Sequence, residues 1–266
     1  MGTTIGVSND GQLLRRRAAK FVGMVERWRF TRAYLRAGTA PSIESLPYLR
    51  TISPNLIVDV GANRGQFSLA ARECHPDAHI VAFEPLRAPA RRYARLFAGD
   101  RFVTFHRFAL STDRGNADMH VARDDDSSSL LKFSESHTEN FAGIEEVGRE
   151  TVRTAPLTDF IGEDDLKGAN LLKIDVQGAE LSVLKSAAPL LKRFDWICVE
   201  ASFLPFYCGQ PLANEVISFL EQHEFMLSGM FNVTFAPHSD LVVQSDFSFR
   251  NIKRREPEAP DGHAGK

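Results

Sequence analysis

Residues 56–68 constrain the fold of this chain more than any other part of its sequence. They read Leu-Ile-Val-Asp-Val-Gly-Ala-Asn-Arg-Gly-Gln-Phe-Ser: a short apolar run, a turn bounded by Gly61 and Gly65, and the start of a helical pattern. A short run rich in β-branched residues predicts a buried central strand of a parallel sheet. The glycine turn lets the backbone approach a ligand, and the N–H groups of the following helix point at the same place. This stretch therefore predicts an α/β fold with a ligand site at the end of its first strand.

The spacing of the turn narrows the class of ligand. Asp59-x-Gly61-x-x-x-Gly65 is neither the Gly-x-Gly-x-x-Gly pattern of dinucleotide binders nor the Gly-Lys-Ser/Thr ending of a phosphate loop. A second apolar run, residues 79–83, ends at Glu84, 19 residues beyond Gly65. A Rossmann-like fold places an acid at about this offset against ribose hydroxyls, and an ionised carboxylate can accept from both hydroxyls of a diol. The order of strand, turn, helix, strand and acid is that of a Rossmann-like ligand site, and the spacing of the turn implies a ligand of a different class from these two.

A second unit of strand, turn and helix lies in the C-terminal half. Residues 170–174 predict a strand that leads to Asp175. Glu180 falls where a helix over 181–193 begins, a place at which the helix dipole favours a carboxylate. The next apolar run ends at Glu200. Because the carboxyl ends of adjacent parallel strands meet at one rim of a sheet, we expect Asp175 and Glu200 beside the ligand.

The remaining periodicity supplies the rest of an α/β domain. We predict a doubly wound, mostly parallel seven-stranded sheet, which is a Rossmann-like fold, with an N-terminal helical extension. Further helices are expected at 66–74, 89–97 and 211–223, further strands at 102–108, 115–122 and 151–157, and a closing antiparallel pair at 225–236 and 241–244. The predicted organisation is a basic amphipathic helix and linker over 1–52, a catalytic domain over 53–250 with a polar substrate-covering insertion at about 122–150, and a disordered tail over 251–266.

Charge and cysteine content exclude several classes of protein. The net charge of −2 and a pI near 6.5 argue against a nucleic-acid partner, because no overall basic field is available to attract phosphates. The three cysteines are widely spaced and indicate neither a zinc site nor a disulfide framework. No apolar run approaches the length of about 20 residues that crosses a bilayer. We therefore expect a cytoplasmic protein, and its oligomeric state is left open.

A basic helical pattern runs through residues 13–36. Apolar residues recur at helical spacing, and eight Arg or Lys residues are opposed by Glu26 alone. One interpretation is peripheral contact with an anionic membrane, because such a helix can lie in the headgroup plane. The favoured alternative is a helix packed on the catalytic domain with its arginines in solvent.

Four motifs together resemble the FkbM family of S-adenosylmethionine-dependent methyltransferases, over about residues 56–244. They are Val-Asp-Val-Gly-Ala-Asn-Arg-Gly at 58–65, Ala-Phe-Glu-Pro at 82–85, Ala-Leu-Ser at 109–111 and Lys-Ile-Asp-Val-Gln-Gly-Ala-Glu at 173–180. The resemblance implies a class I methyltransferase that uses S-adenosyl-L-methionine to methylate hydroxyls of sugars, glycolipids or polyketides. Two residues depart from the family pattern: Arg64 replaces an apolar residue, and Gln177 replaces a common glutamate.

The resemblance also assigns site residues. It implies a cofactor site formed by Asp59, Gly61, Asn63, Gly65, Glu84 and Ala109. For the acceptor we predict contacts from Glu180 and, in the polar insertion, from Ser128 and Ser129. Glu180 has a second interpretation, as a partner of Lys173, and the two interpretations are given equal weight.

Methyl transfer to a hydroxyl requires alignment of the acceptor and removal of its proton. Asp175 is the first candidate for the base, Glu200 the second and His137 the third, and a purely structural role of Asp175 in its turn stays open. A divalent ion between Asp175 and Glu200 is considered, but no metal is predicted.

Three alternatives to glycan or glycolipid O-methylation remain at this point. One is methylation of a polyketide or other small molecule, and another is methylation of a protein or nucleic acid. The third is a cofactor-binding scaffold without activity.

Overall fold

A computed structural model of the chain describes residues 28–134, 145–236 and 239–254. Short apolar runs form its central strands, and the segments between them form helices. The strands are β1 (Leu56–Val60), β2 (His79–Phe83), β3 (Val103–His106), β4 (Ala109–Leu110), β5 (Gly115–Ala122), β6 (Glu146–Ala155), β7 (Asn170–Ile174), β8 (Trp196–Ser202), β9 (Phe225–Phe235) and β10 (Val242–Asn251). The α-helices are α1 (Trp28–Ala37), α2 (Leu46–Leu49), α3 (Gln66–Cys74), α4 (Arg87–Leu96), α5 (Glu180–Ala187) and α6 (Ala213–Gln222).

Seven strands form the main sheet, in the order β3-β2-β1-β7-β8-β10-β9. The first five strands in this order are parallel, and β10 pairs antiparallel with both β8 and β9. The predicted doubly wound, mostly parallel seven-stranded sheet is therefore confirmed. Strand order reverses between β1 and β7, so the loops that follow these two strands lie side by side at the carboxyl rim, where α/β sheets bind ligands.

Side-chain alternation divides the core between the two faces of the sheet. In β1, Val58 and Val60 pack on one face with Val183 and Leu184 of α5, whereas Ile57 faces the layer that contains α1, α3 and α4. All five residues of β1 are buried. Burial on both faces explains why the sequence of this strand is continuously apolar except at Asp59.

The segment after β3 differs from the prediction. The third strand ends at His106 and does not continue to residue 108, and residues 109–110 belong to a separate three-stranded sheet in the order β4-β6-β5. Strand β6 begins at Glu146, five residues before the strand predicted at 151–157 and inside the predicted insertion. The first half of β6 is exposed, so buried and exposed residues alternate only from Val152 onward. Exposed strands lack the hydrophobic alternation that reveals a strand in a sequence.

Both ends of the described chain contact the domain. Phe30 of α1 is fully buried together with Leu49 and Tyr93, so the described part of the N-terminal helix packs on the α3–α4 layer. Residues 13–27 of the predicted helix lie outside the described residues. At the other end, Arg254 donates to the Asp195 carboxylate at 2.8 Å, beyond the boundary predicted at residue 250. The division at residues 52 and 250 stays a prediction. No helix among the described residues is long and apolar enough to span a bilayer.

Candidate active site

The loop between β1 and α3 contains three residues with positive φ. Gly61, Asn63 and Gly65 have φ values of 79°, 46° and 94°. The Gly61 N–H donates to the Phe83 carbonyl at 3.0 Å, which holds the loop at the end of β2. A Cβ atom on Gly61 would lie 1.7 Å from the carbonyl oxygen of Asp175. The loops after β1 and β7 therefore meet backbone to backbone, at a position where only glycine fits.

Gly65 lies against α4. A Cβ atom there would come within 2.9 Å of the Phe97 ring and 3.0 Å of the Leu96 side chain. Neighbouring protein atoms thus require glycine at both ends of the turn. The predicted contacts of Gly61 and Gly65 with the cofactor stay predictions.

Glu84 follows β2 and connects two turns. Its Oε2 accepts a hydrogen bond from the Asn63 N–H at 3.0 Å, and its Oε1 accepts one from the Leu86 N–H at 2.7 Å. The residue is buried, but it lines a cavity at the carboxyl rim of the sheet, which is called the central cavity. Beside it, Asn63 Oδ1 is buried without a hydrogen-bond partner. The turn therefore presents a fixed carboxylate and an unpaired acceptor in one region.

Asp59 lies in β1 and faces the α3 layer. Its carboxylate accepts a hydrogen bond from Ser68 Oγ at 2.6 Å, and Ser68 Oγ lies 2.9 Å from the Tyr93 hydroxyl. In the sheet register, Asp59 is directly opposite Lys173. Burial raises the pKa of Asp59 to about 6, although Lys173 and the Ser68 hydrogen bond oppose the shift. The structure places this carboxylate behind the glycine loop, and the predicted cofactor contact of Asp59 stays untested.

The loop after β7 brings the two main catalytic candidates together. Gln177, with a φ of 56°, directs its Nε2 to Asp175 Oδ1 at 2.9 Å and to Glu200 Oε2 at 2.7 Å. The Tyr207 hydroxyl lies 3.1 Å from Gln177 Oε1. Lys173 Nζ lies 3.3 Å from Asp175 Oδ2. Asp175 and Glu200 therefore share one rim, as expected, and a carboxamide joins them.

The environment of Glu200 disfavours its charge. Burial, followed by the negative charges of Asp175 and Asp246, raises the pKa of Glu200 well above its usual range. Burial alone would lower the pKa of Lys173, but Asp175 and Asp246 outweigh it and raise that pKa. The site therefore combines a buried ammonium group with several carboxylates, and the pKa of Glu200 is raised among them.

Two predicted acceptor residues lie in the segment after β5. Ser129 is fully buried, and its hydroxyl donates to the Gln177 carbonyl at 2.5 Å. Ser128 Oγ accepts from the Ala122 N–H at 3.0 Å, and Ser128 contributes to the cavity wall. The Tyr207 hydroxyl also donates to the Ser127 carbonyl at 2.8 Å. These contacts join the start of the predicted insertion to the loop after β7.

The other predicted residues have separate positions. Ala109, in β4, lines the cavity. Glu180 is buried; its Oε1 accepts from the Gly178 N–H at 2.8 Å, and its Oε2 has no hydrogen-bond partner. Burial raises the pKa of Glu180 to about 7. His137 lies outside the described residues.

A cavity of about 760 Å³ connects these groups. One end is bounded by the glycine loop, Glu84 and Ala109, which follow β1, β2 and β3. Polar side chains surround the other end: Lys173, Asp175, Gln177, Glu200, Asn232, Thr234 and Asp246. The segment 38–45, which follows α1, also lines the cavity. Within the described residues, no group of three or more His, Cys, Asp or Glu side chains is arranged to hold a metal ion.

The polar end contains residues that the sequence analysis did not single out. Asp246 of β10 lies opposite Glu200 in the register and accepts from Asn232 Nδ2 at 2.6 Å. Gln244 Nε2 donates to Glu200 Oε1 at 3.2 Å. The available signal was the polar stretch Gln-Ser-Asp at 244–246, within a segment otherwise typical of a strand.

The glycine-loop end fits the implied cofactor, S-adenosylmethionine. Glu84 is a carboxylate that lines the cavity, and a carboxylate can accept from both hydroxyls of a ribose diol. The unpaired Asn63 Oδ1 suits an ammonium donor, such as that of an amino-acid moiety. These features agree with a ligand that has a nucleoside end and an amino-acid end.

Comparisons with known proteins identify the family of the chain. Residues 59–227 match the family model described as the methyltransferase FkbM domain. The chain is 28% identical over 178 residues to the 2-O-methyltransferase NoeI of Sinorhizobium fredii, covering 64% of this chain and 73% of that protein. It is also 28% identical over 231 residues to the 31-O-demethyl-FK506 methyltransferase FkbM of Streptomyces tacrolimicus, covering 77% and 82% of the two chains.

One of the solved structures that match the chain is the precorrin-6y C5,15-methyltransferase of Geobacter metallireducens. It is 13% identical, with a TM-score of 0.39, and the match covers 77% of this chain and 86% of that one. The family match includes both glycine loops and most of the sheet. The chain therefore belongs to the FkbM family of methyltransferases, enzymes that take their methyl group from S-adenosylmethionine.

Proposed function

We propose that this methyltransferase transfers the methyl group to a hydroxyl oxygen of a sugar, in a glycan, a glycolipid or a related natural product. The observation that carries the proposal is the polar end of the central cavity, where Asp175, Gln177, Glu200, Asn232 and Asp246 converge. Carboxylates and carboxamides offer many hydrogen-bond acceptors and donors in a small volume. Such a lining suits an acceptor with several hydroxyls better than an apolar one.

In this proposal the glycine-loop end holds the cofactor. Glu84 accepts the ribose hydroxyls, Asn63 receives the ammonium group, and Gly61, Gly65 and Ala109 shape the backbone around them. Asp59 lies behind the loop, and its negative charge stabilises the buried Lys173 ammonium group. S-adenosylmethionine, when bound, supplies a methyl group on a positively charged sulfur, which is already an excellent leaving group.

Asp175 accepts the proton of the acceptor hydroxyl. It is the better placed of the two described candidates because about a third of its side chain is exposed and Lys173 Nζ lies 3.3 Å away. Glu200, with its raised pKa, is suited to orient the acceptor through a hydrogen bond, while Gln177 holds both carboxylates in place. The predicted base role of His137 stays a prediction.

The acceptor side of the cavity includes one predicted serine. Ser128 lines the cavity and is proposed to contact the acceptor. Ser129 and Glu180 lie in the structure that supports the wall, through bonds to the backbone of residues 177 and 178. We propose that these two residues position the acceptor site indirectly.

The names of two relatives support oxygen as the methylated atom. One is called a 2-O-methyltransferase and the other a 31-O-demethyl-FK506 methyltransferase. The second name makes a polyketide-type acceptor the alternative to a sugar. The polar lining of the cavity favours the sugar.

A comparison of carboxylate variants tests the proposal. The enzyme is incubated with labelled S-adenosylmethionine and with oligosaccharide, glycolipid or polyketide acceptors, and the methylated product is located by mass spectrometry. We expect transfer to a sugar hydroxyl, and we expect Asp175→Asn to lower the rate by about 100-fold or more with unchanged cofactor affinity. Asp165→Asn, at an exposed position, is the matched control. Full turnover by Asp175→Asn would refute the base assignment, and transfer to the polyketide alone would refute the sugar.

We also propose a cytoplasmic location with a peripheral contact to a membrane through residues 13–36. The three cysteines of the chain are widely spaced and show no disulfide pattern, which agrees with a reducing compartment. The basic composition of residues 13–36 supports attraction to anionic headgroups.

A further inference from the structure

Two helices that are distant in the sequence form one strongly basic surface. α1 and α4 pack against each other on the same side of the main sheet, and Arg36 Nη2 donates to the Ala98 carbonyl just beyond α4 at 3.3 Å. The exposed arginines of the two helices are Arg32, Arg36, Arg87, Arg91, Arg92 and Arg95. Neither helix contains Asp or Glu. We call these six residues the arginine surface.

The arginine surface is not neutralised by the rest of the described chain. None of the six guanidinium groups forms an ion pair with a carboxylate of the described residues. By contrast, arginines elsewhere do have such partners; Arg72 binds Asp100, and Arg114 binds Asp159. The whole chain has a net charge of −2, so this concentration of positive charge is local. A local basic surface of this kind attracts an extended anionic partner.

Exposed nonpolar groups lie among these arginines. Leu35 of α1 is 80% exposed, and Tyr34 beside it is 49% exposed. The opposite side of α1 is occupied, because Phe30, Ala33 and Ala37 are buried in the core. The nonpolar residues at positions 34 and 35 are therefore not needed to attach the helix to the domain. An exposed leucine and tyrosine amid arginines suit the boundary between lipid headgroups and acyl chains, whereas a nucleic-acid backbone offers no apolar layer to receive them.

The arginine surface lies next to the cavity. Residues 38–45 follow α1 directly and line the cavity, and Thr39 Oγ1 donates to the Arg64 carbonyl in the glycine loop at 3.1 Å. A surface that binds α1 would therefore lie close to one side of the cavity.

We propose that the arginine surface, with Leu35 and Tyr34, docks the enzyme on an anionic phospholipid membrane. The guanidinium groups bind headgroup phosphates, and Leu35 enters the outer edge of the acyl layer. The proposal concerns binding alone, so it does not depend on the nature of the methyl acceptor.

Vesicle co-sedimentation of the full chain tests the proposal. The vesicles are pure phosphatidylcholine, or phosphatidylcholine with about one third phosphatidylglycerol. We expect binding to the anionic vesicles that decreases as salt is added, and little binding to the neutral ones. Replacing Arg91, Arg92 and Arg95 together by Gln should lower the partition coefficient by about tenfold or more. Leu35→Ser should lower it roughly fivefold, and Leu35→Trp should raise it.

The matched control removes the same charge from the other face of the sheet. It replaces three exposed lysines together by Gln: Lys167 before β7, Lys185 on α5 and Lys192 shortly after α5. This variant should bind anionic vesicles within about twofold of the unaltered chain, since headgroup attraction falls off within a Debye length. An equal loss in both triple variants would overturn the proposal. So would tighter binding to a double-stranded RNA than to the vesicles at the same salt concentration. Cofactor binding by the arginine variants should be unchanged, which separates a failure of docking from a failure of the proposed reaction.

Discussion

Gln177 Nε2 lies 2.7 Å from Glu200 Oε2, so a carboxamide contacts a buried carboxyl group whose pKa is already raised. The same nitrogen lies 2.9 Å from Asp175 Oδ1. A neutral hydrogen-bond donor between two acids relieves their mutual repulsion without adding charge.

Gln177→Glu should shift the pH dependence of methyl transfer upward. A third carboxylate within about 3 Å of two others makes the loss of a proton from the group less favourable, and the midpoint of the kcat profile should rise by about one unit or more. Cofactor affinity, measured by calorimetry, should remain unchanged because the glycine loop is intact. Gln244→Glu is the comparison variant, since it adds a carboxylate near Glu200 Oε1 alone and should give a smaller shift. An unaltered midpoint in Gln177→Glu would contradict this account of the network.

Glu84→Gln should weaken cofactor binding by about 10- to 100-fold, because it replaces charge-assisted hydrogen bonds to ribose by neutral ones. Calorimetry with S-adenosylhomocysteine and with its 2′-deoxy analogue separates this effect from a loss of structure. The unaltered protein should prefer the ribose form, and Glu84→Gln should lose most of that preference. If the variant discriminates as well as the unaltered chain, Glu84 does not bind the ribose. Glu150→Gln, in the small sheet, serves as the control.

Gly61→Ala should destabilise the domain far more than Gly38→Ala. Both glycines have positive φ, 79° and 65°, so each substitution incurs a cost of about 1–2 kcal/mol for that conformation. A Cβ atom on Gly61 would in addition overlap the Asp175 carbonyl, whereas one on Gly38 would have no atom within 4 Å. Urea unfolding should therefore show a loss of about 1 kcal/mol for Gly38→Ala and several times that for Gly61→Ala. Similar losses for the two variants would show that the loops after β1 and β7 are not in direct contact.

Glu180→Gln should change the pH dependence of stability. The folded-state pKa of Glu180 is about 7, above the ordinary value of 4.5, because the group is buried. Between these values the folded state binds more protons than the unfolded state, so stability falls as pH rises, and the loss is complete above about pH 7. Glutamine does not titrate.

The unaltered chain should therefore lose stability relative to Glu180→Gln as the pH rises from 4.5 to 7. The difference between their free energies of unfolding should change by about 3 kcal/mol over this range and stay constant above pH 7. Denaturant unfolding at a series of pH values measures the difference. Glu221→Gln, at an exposed position, is the control and should show no such trend. Parallel curves for Glu180→Gln over the whole range would exclude a buried titrating group.

Much of the architecture could be predicted because it is encoded locally. The residues of β1, apolar except for Asp59, predicted a strand buried on both faces, and α3 occupies the predicted residues, 66–74. The meeting of Asp175 and Glu200 followed from a general property of parallel strands. The small sheet was not predicted, because the exposed half of β6 lacks alternation and its partners are far away in the sequence.

The functions of individual side chains depended on distant neighbours. Asp59 was assigned to the cofactor from its place in a motif, but its carboxylate contacts Ser68 and lies opposite Lys173. Asp246 was not considered, because its position beside Glu200 arises from the antiparallel pairing of β10 with β8. Neither relation is visible in a local pattern, because each requires two strands to be placed in register.

By itself, the sequence determined the central strands, the two glycine turns and the family, since steric and hydrophobic preferences act over a few residues. Only the tertiary structure decided which carboxylates share one cavity end, how burial and charge raise the pKa of Glu200, and that arginines from α1 and α4 form one surface. Electrostatic effects depend on distance through space and on exclusion of water, and both quantities exist only once the chain has folded.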